Sequence, residues 1–553
     1  MTATPAAPPP SPFSVPIFRA IWFASMSSNF GGLVQAVGAS WLMTTLTTSP
    51  QQVALVQAST ALPIMLFSLT AGAIADNLDR RKVMLIAQFY MVAVSLLLAW
   101  CAWAGVLTPW GLLGFTFAIG CGTALNNPAW QASVGDMVPR AALPGAVALN
   151  SMGFNMARSV GPAIGGAIVA VAGAAGAFLT NALSYVGLIV VLLRWHPVRA
   201  PRTLPREHIA TAMLAGLRYV AMSPNLCVVM ARAALFGAAA AALPALMPVV
   251  ARDLIVGGPL TYGILLGAFG IGAVAGALSS GRLRARLSTE AIVRVATLVL
   301  VLGGIGTALS HTLILTLPAL MLAGSGWVLA LSTFNVTVQL STPRWVVGRA
   351  LSLYQMAAFG GLAAGAWTFG AIAEAQGVTR ALLAAAALQA VGGLLGLVLP
   401  LPRSGDADLE PAGHMTAPAT TVPVDARSGP IVITVEHRVA AHNSTAFVAA
   451  MNERRRICRR DGARRWTLLR DLADPDLWVE RYHVATWLEY VRDRQRRTRA
   501  DQQNHDLIQS LHIDGHAPRV HRFIERPVGS ATYDPVAEVQ ATEDALTDPT
   551  RAN

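Results

Sequence analysis

The chain has 553 residues, 54% of them hydrophobic and 13% charged, with a mean hydropathy of +0.51 and a formal net charge of +12. A soluble domain averages about 25% charged residues, so most of this chain is not an ordinary water-soluble protein. Its four cysteines, Cys101, Cys121, Cys227 and Cys458, have neither zinc-site nor redox CxxC spacing, and no metal or cofactor is expected.

In chain order, residues 1–17 (MTATPAAPPPSPFSVP and the residue after it) form a Pro-rich flexible tail without the basic-then-apolar order of a signal peptide. Twelve apolar runs follow, near 18–43, 51–75, 83–104, 110–133, 146–172, 175–194, 225–250, 260–281, 290–310, 313–338, 350–373 and 378–400. Each has about the 20 residues that cross a hydrocarbon core. Alternate loops carry Arg80, Arg81 and Lys82, then Arg140, then Arg194, Arg199, Arg202 and Arg206, then Arg282, Arg284 and Arg286, then Arg344 and Arg349. The other loops hold little beyond Arg252 and Arg380. Basic loops stay on the cytoplasmic side, which predicts a multi-pass membrane protein with both termini in the cytoplasm. The runs divide into an N-terminal half (18–194), a connector (195–224) and a C-terminal half (225–400). The connector's second half puts Ile209, Met213, Leu217 and Val220 on one helical face. That face suits the inner membrane surface or, equally, the protein's own soluble face.

The turn after the second run reads GAIADNLDRRK from Gly72, and residues 276–286 read GALSSGRLRAR, with Gly276, Arg284 and Arg286 standing as Gly72, Arg80 and Lys82 do. VPRAALPGAVALNSMG from Val138 is echoed by TPRWVVGRALSLYQMAAFG from Thr342. Two similarly oriented six-helix halves follow, a parallel repeat about an axis along the membrane normal. GAIADNLDRRK resembles the signature of the major facilitator superfamily between its second and third spans, matched by Gly72, Asp76, Arg80 and Arg81 and departed from at Asn77 and Asp79. The resemblance implies that Gly72 lets spans 2 and 11 approach and that Asp76, Arg80 and Arg81 latch the outward-facing state of an alternating-access cycle. NMARSVGPAIGG, residues 155–166, is similar at Gly161, Pro162, Gly165 and Gly166 to the fifth-span motif of the superfamily's antiporters. That motif implies a seal at the outer end of a central cavity, and export.

Polar groups inside spans are functional candidates because each costs free energy unless paired or facing water. Arg158 lies on the order of 20 Å along its helix at about 1.5 Å per residue, too deep to snorkel, and suits a carboxylate or phenolate. Asn29, Asn126 and Gln355 are the next candidate substrate contacts, and Arg232 either joins them or reaches the cytoplasmic edge. No Asp or Glu stands clearly mid-span, so proton coupling is implied by the resemblance and has no named carrier.

Residues 401–429 read as a linker, and 430–527 as a soluble domain ahead of a second tail, 528–553. PIVITVEHRV, a helix from Ser444 to Arg460, a hairpin of ARRWTLLRDL and LWVERYHVA, a helix from Thr486 with Glu489 as its capping-box partner, and PRVHRFIER give the order βαββαβ, ferredoxin-like. This domain is similar to small antibiotic-biosynthesis-monooxygenase-like domains, which implies pairing into dimers. Trp466, His483, Trp487 and His505 are candidates to line an aromatic pocket, with ordinary packing as their other fate. RRRICRR at 454–460 suits lipid headgroups or a solvated helix face, and nothing else points to nucleic acid.

The fold class expected is therefore an all-α polytopic membrane protein, twelve transmembrane helices in two parallel six-helix halves, plus a small α+β ferredoxin-like cytoplasmic domain. Its resemblance to the branch that includes the enterobactin exporters implies a non-enzymatic, proton-coupled exporter of a small amphiphilic or anionic metabolite. An importer of the same fold, or a membrane-tethered enzyme or sensor acting through the tail, are the alternatives.

Overall fold

A computed structural model describes residues 11–139, 142–196, 209–343, 345–402, 408–410, 412, 418, 420–513 and 518–525. Thirteen α-helices precede the first strand among the described residues: α1 (Pro16–Leu46), α2 (Pro50–Asn77), α3 (Arg80–Trp103), α4 (Pro109–Met137), α5 (Leu143–Arg194), α6 (Ile209–Ala221), α7 (Pro224–Ala240), α8 (Ala242–Val249), α9 (Pro259–Arg284), α10 (Thr289–Leu309), α11 (Leu313–Leu340), α12 (Val347–Gln376) and α13 (Val378–Leu395). Among the described residues, nine helices are long and apolar enough to cross a membrane. α1 and α4 are as long, at 31 and 29 residues, but carry more polar side chains. The expected fifth and sixth runs form one 52-residue helix that breaks at Gly173, where φ is 68°. Glycine adopts that value without a Cβ penalty.

Local chemistry sets the helix starts. Ser49, Thr108 and Ser288 accept a backbone N–H at the first turns of α2, α4 and α10, and a proline follows directly in the first two. Asp79 does the same for α3, accepting from the Arg81 N–H at 3.1 Å. The superfamily signature has glycine there, and the cap gives Asp79 a structural reason of its own.

The chain resolves into two compact units, the first made of residues 1–200, 227–338 and 351–403. In it α1 packs on α5, α2 on α4, α3 on α4 and α5, and α10 on α13. One apolar cluster, including Phe18, Trp22, Met84, Leu188 and Trp195, joins α1, α3, α4 and α5. Phe13, within the stretch read as a tail, meets Trp22 edge-on at 5.2 Å.

The second unit comprises residues 201–226, 339–350 and 404–553. It holds β1 (Ile431–Arg438), α14 (Ser444–Asp461), β2 (Arg464–Arg470), β3 (Leu477–Val484), α15 (Trp487–Gln495), α16 (Arg499–Ser510) and β4 (Arg519–Ile524). The strands form one antiparallel sheet in the order β2-β3-β1-β4. Ile431, Ile433, Val435, Tyr482 and Val484 alternate onto its inner face, and Phe447, Met451 and Ile508 of α14 and α16 join the apolar core. The helix expected from Thr486 is two. Thr486 caps α15 by accepting from the Glu489 N–H, while the reciprocal capping box forms at Thr498 and Asp501, ahead of α16. α6 is helical as expected, but its stripe is rotated. Ala215, Tyr219 and Val220 are buried, whereas Leu214 and Leu217 face outward.

Several sequence expectations fall outside the described residues: most of the N-terminal tail, the connector's first half, Arg140 and Arg344, most of the 401–429 linker and the 528–553 tail. The side chains of Asp76, Asn155 and Ile209 do too.

Candidate functional site

α2 and α9 end at the turns bearing Arg80–Lys82 and Arg282–Arg286, here called the basic end, and begin at the end opposite. At the opposite end the two halves meet. Gly166 of α5 and Gly263 of α9 touch backbone to backbone. A Cβ at Gly166 would lie 2.7 Å from the Pro259 carbonyl oxygen and 2.9 Å from the Gly263 Cα. Gly161 and Gly165 receive Leu33 and Val34 of α1, and the Pro162 carbonyl meets Gly263. Around this seam Trp41 stacks on Tyr262 at 6.3 Å. Arg252 donates to the Thr44 carbonyl at 3.1 Å and pairs with Asp253 at 2.6 Å. Ser49 donates to Glu374, joining α2 to α12. Four contacts between the halves therefore close the end opposite the basic turns.

At the basic end the signature residues divide. Gly72 faces α12, where an added Cβ would stand 3.3 Å from the Ser352 hydroxyl, and Ser68 donates to the Ser352 carbonyl at 3.2 Å. Arg80 pairs with Asp136 of α4 at 2.8 Å and donates to the Ala132 carbonyl at 2.9 Å. Arg81 donates to the Leu192 and Leu193 carbonyls at 2.8 and 2.7 Å, where it meets the C-terminus of α5. The two arginines thus tie α3 to α4 and α5 within the N-terminal half. Arg232, 3% exposed, is bonded to Glu290, which also accepts from Arg294 at 3.1 Å and from the Leu401 N–H at 3.0 Å. It is a structural ion pair rather than a free anchor.

The four substrate-contact candidates fare differently. Arg158 is half-buried, and among the described residues its guanidinium has no hydrogen-bond or ion-pair partner. It precedes Gly165 by about two turns, on the face that α5 turns to α1. Gly153 meets Met26 and Gly161 meets Leu33, so the parallel register of α1 and α5 brings exposed Asn29 to the level of Arg158. Asn126 accepts from Gln88 of α3 at 3.2 Å and acts between helices. Gln355 is half-buried on α12, between Ser352, which faces Gly72, and Gly360, which faces Met65. A polar cluster centred on Asn181, which the sequence reading did not single out, lies fully inside the N-terminal half. Asn181, 0% exposed, donates to Gln35 and to the Tyr185 hydroxyl at 3.1 Å, while Ser95 donates to Gln35. Only the amides themselves signalled it, because Asn181 and Ser95 sit in otherwise apolar runs.

In the second unit Trp466, His483 and Trp487 pack apart from one another, the ordinary-packing outcome, instead of lining one aromatic pocket. Trp466 lies on the inner sheet face and donates to Glu480 at 2.8 Å, whereas His483 is on the opposite face of β3, near Glu525. Trp487 packs on Tyr490 at 5.3 Å. RRRICRR is not a uniform basic face either. Arg454 is buried and pairs with Glu480 at 3.3 Å, and Arg460 pairs with Asp461 at 2.9 Å and with Asp501 at 3.0 Å. Burial pushes the Glu480 carboxyl up, but the Arg454 charge, the Trp466 indole N–H and His437, whose Nε2 lies 3.7 Å away, outweigh it and hold it at about 2. The same unit gathers α6 and the α11–α12 turn against this region. Arg460 lies over the Tyr219 ring at 5.0 Å, Arg496 over Trp345 at 4.3 Å, and Tyr219 meets Trp345 edge-on at 5.6 Å. Among the described residues no cluster of ligating side chains could hold a metal ion.

A family model described as transmembrane secretion effector matches residues 7–528. The multidrug efflux pump Tap of Mycolicibacterium fortuitum is 26% identical over 415 residues, 71% of this chain and 97% of that protein. The enterobactin exporter EntS of Escherichia coli O1:K1 / APEC is 28% identical over 404 residues, 69% of this chain and 92% of that one. The staphyloferrin A transporter of Staphylococcus aureus is 28% identical over 194 residues, and the match spans about half of that protein, 49%. Among solved structures, a bacterial homologue of the human lysosomal transporter Spinster, inward-facing and unoccupied, superposes with a TM-score of 0.56 at 15% identity. It covers 70% of this chain and 97% of its own. The nucleoside transporter NupG gives 0.56 at 15% identity, covering 69% and 98%.

Proposed function

The chain belongs to the transmembrane secretion effector family of the major facilitator superfamily, and from that premise we propose that it exports a small amphiphilic or anionic metabolite, siderophore-like or drug-like, by alternating access between two six-helix halves. It is a membrane transporter of small molecules, not an enzyme. The observation that carries the reading is Arg158, a guanidinium at membrane depth without a protein partner among the described residues, about two turns below the seam at Gly166 and Gly263. A buried charge left unpaired is costly, so an anionic cargo passing at that level gains what the protein does not supply. Asn29, at the same level, adds a hydrogen bond.

In this reading the helices make twelve crossings, with α5 contributing two through its break at Gly173. The basic end faces the bacterial cytoplasm, both termini with it, and the seam closes the outer end of the pathway. Gly72 and Asp76, with Arg80 and Arg81, form the latch between spans 2 and 3, and protons drive the turnover. The strand order β2-β3-β1-β4 supports a ferredoxin-like C-terminal domain, which pairs two copies of the chain.

The test is retention of enterobactin, the cargo named for one relative, in an efflux-deficient bacterial host. The wild-type chain lowers retained enterobactin several-fold against empty vector, and Arg158→Ala abolishes the difference at equal membrane abundance. Equal retention with and without the wild-type chain, repeated with an anionic dye, would overturn export of anions. Raised retention would favour the importer.

A further inference from the structure

The second unit contains a cavity of about 30 Å³ between α14, β3 and the α15–α16 segment, lined by Arg454, Cys458, Tyr482, Tyr490, Asp493 and Arg497 among others. A water needs roughly 10–15 Å³ of such space, so the cavity holds more than one water yet excludes an aromatic cargo. Its charges are unevenly answered. Arg454 is paired with Glu480. Asp461 is held by Arg460 at 2.9 Å, and Asp493 by Arg496 at 4.0 Å, both guanidiniums being outside the lining. Arg497 has no such answer: among the described residues no carboxylate lies within ion-pairing distance of it and no acceptor receives its side chain. Burial, and the neighbouring charges of Arg454 and Arg494, depress its ordinary basicity.

The neighbours that could neutralise Arg497 are kept from doing so. Burial pushes the Cys458 thiol up to about 12 and the Tyr482 phenol up as well, so both stay protonated. Burial, with the charge of Asp461, lifts the Asp493 carboxyl well above the usual range, which weakens its negative charge. Meanwhile the Tyr490 hydroxyl oxygen accepts from Arg494 at 3.0 Å and from Arg522 at 2.8 Å. With its acceptor capacity taken, its proton remains to be donated. The cavity is thus rich in donors and short of negative charge.

We propose that this cavity binds one small free oxyanion, of the carboxylate or phosphate type, with Arg497 as its anchor and the Tyr490 hydroxyl as a donor. The test is amide hydrogen exchange on the full-length protein in detergent micelles, with inorganic phosphate or acetate compared against chloride at equal ionic strength. Binding slows exchange several-fold across Trp487–Gln495 and Arg497, because a ligand that binds only the closed form opposes its opening. A response to phosphate alone assigns the phosphate type, and to acetate alone the carboxylate type. Arg497→Met removes the response while exchange in chloride stays at or below the wild-type rate, since an unanswered charge has been taken out. Tyr490→Phe, which keeps the ring packing, raises the anion concentration needed for half-protection several-fold. Equal protection in Arg497→Met and wild type, or none in the wild type with either anion, overturns the proposal.

Discussion

Glu480 is 1% exposed and accepts from Arg454, from the Trp466 indole and, at 3.6 Å, from the Cys458 thiol. Its carboxyl, held at about 2 against an ordinary 4.5, is depressed in the folded chain. A depressed carboxylate contributes stability that is fully present above 4.5 and is lost as pH falls towards 2. Glu480→Gln leaves Arg454, 7% exposed, without its counter-charge, and breaking a buried pair from one side costs about 3–5 kcal/mol. Denaturant titrations of the full chain, followed by the Trp466 environment, should show that loss at pH 7 and a shallower decline between pH 4.5 and 2 than in wild type. A variant as stable as wild type, with the same acid limb, would remove the network from the account. His505 adds an earlier step. Burial first, then Arg454 and Arg497, depress it from 6.5 to about 4. The unfolded chain therefore binds its proton first, and stability falls as pH drops from 6.5 towards 4. At this scale the sequence was a poor guide. RRRICRR reads as a basic face, yet helical spacing turns Arg454 and Cys458 inward while Arg456 stays outside on Glu453. Likewise Trp466 and His483 occupy opposite faces of one sheet, a separation fixed by a pairing register that no single strand encodes.

The elements were more legible where one local signal sufficed. GPAIGG was read as a close-packing segment, and the structure brings Gly166 against Gly263, a partner about a hundred residues on that only the tertiary fold supplies. Because the nearest atoms are backbone, a side chain here cannot be accommodated by a rotamer change. Gly166→Ala is expected to part α5 from α9 and open the end opposite the basic turns. With the four native cysteines replaced, a cysteine at Ser40, beside Trp41 and Tyr262, should react several-fold faster with a membrane-impermeant maleimide in the Gly166→Ala background. Unchanged labelling would mean that the seam does not hold that end shut. Asp79 makes the opposite kind of lesson, since the superfamily signature offered glycine where the chain needed a helix cap. Asp79→Ala should destabilise the α3 start by about 1 kcal/mol, visible as faster amide exchange at Arg81 and Lys82, whereas a glycine there should cost only a few tenths of that.

At the scale of the whole molecule, the alternation of apolar runs and basic turns gave the polytopic architecture, because lipid imposes helices about 20 residues long and little else. It did not indicate that residues far apart in sequence, α6, the turn before α12 and the C-terminal sheet region, gather into one compact unit. The cause is again local physics read too narrowly. The α6 stripe of Ile209, Met213, Leu217 and Val220 suited the inner membrane surface or the protein's own soluble face equally, and the buried face is that of Tyr219, 3% exposed, with Ala215 and Val220. Arg460 covers the Tyr219 ring, Arg218 donates to the Arg460 carbonyl at 3.2 Å, and Arg496 covers Trp345, which in turn braces Tyr219. Stacked guanidiniums of this kind contribute about 0.5–2 kcal/mol each, and removing their source exposes a tyrosine and a tryptophan together. A chain ending at Pro402 keeps every contact within the first unit but loses this cover. Limited trypsin digestion should then cut after Arg218 in the shortened chain within the time that leaves the same bond intact in the full one. Tyr219→Ala in the full chain should give an intermediate rate, since the Arg218 guanidinium keeps its bond to the Arg460 carbonyl. If the full and shortened chains were cut at Arg218 equally fast, α6 would be held by its own half of the connector, and the C-terminal region would be a passenger rather than its support.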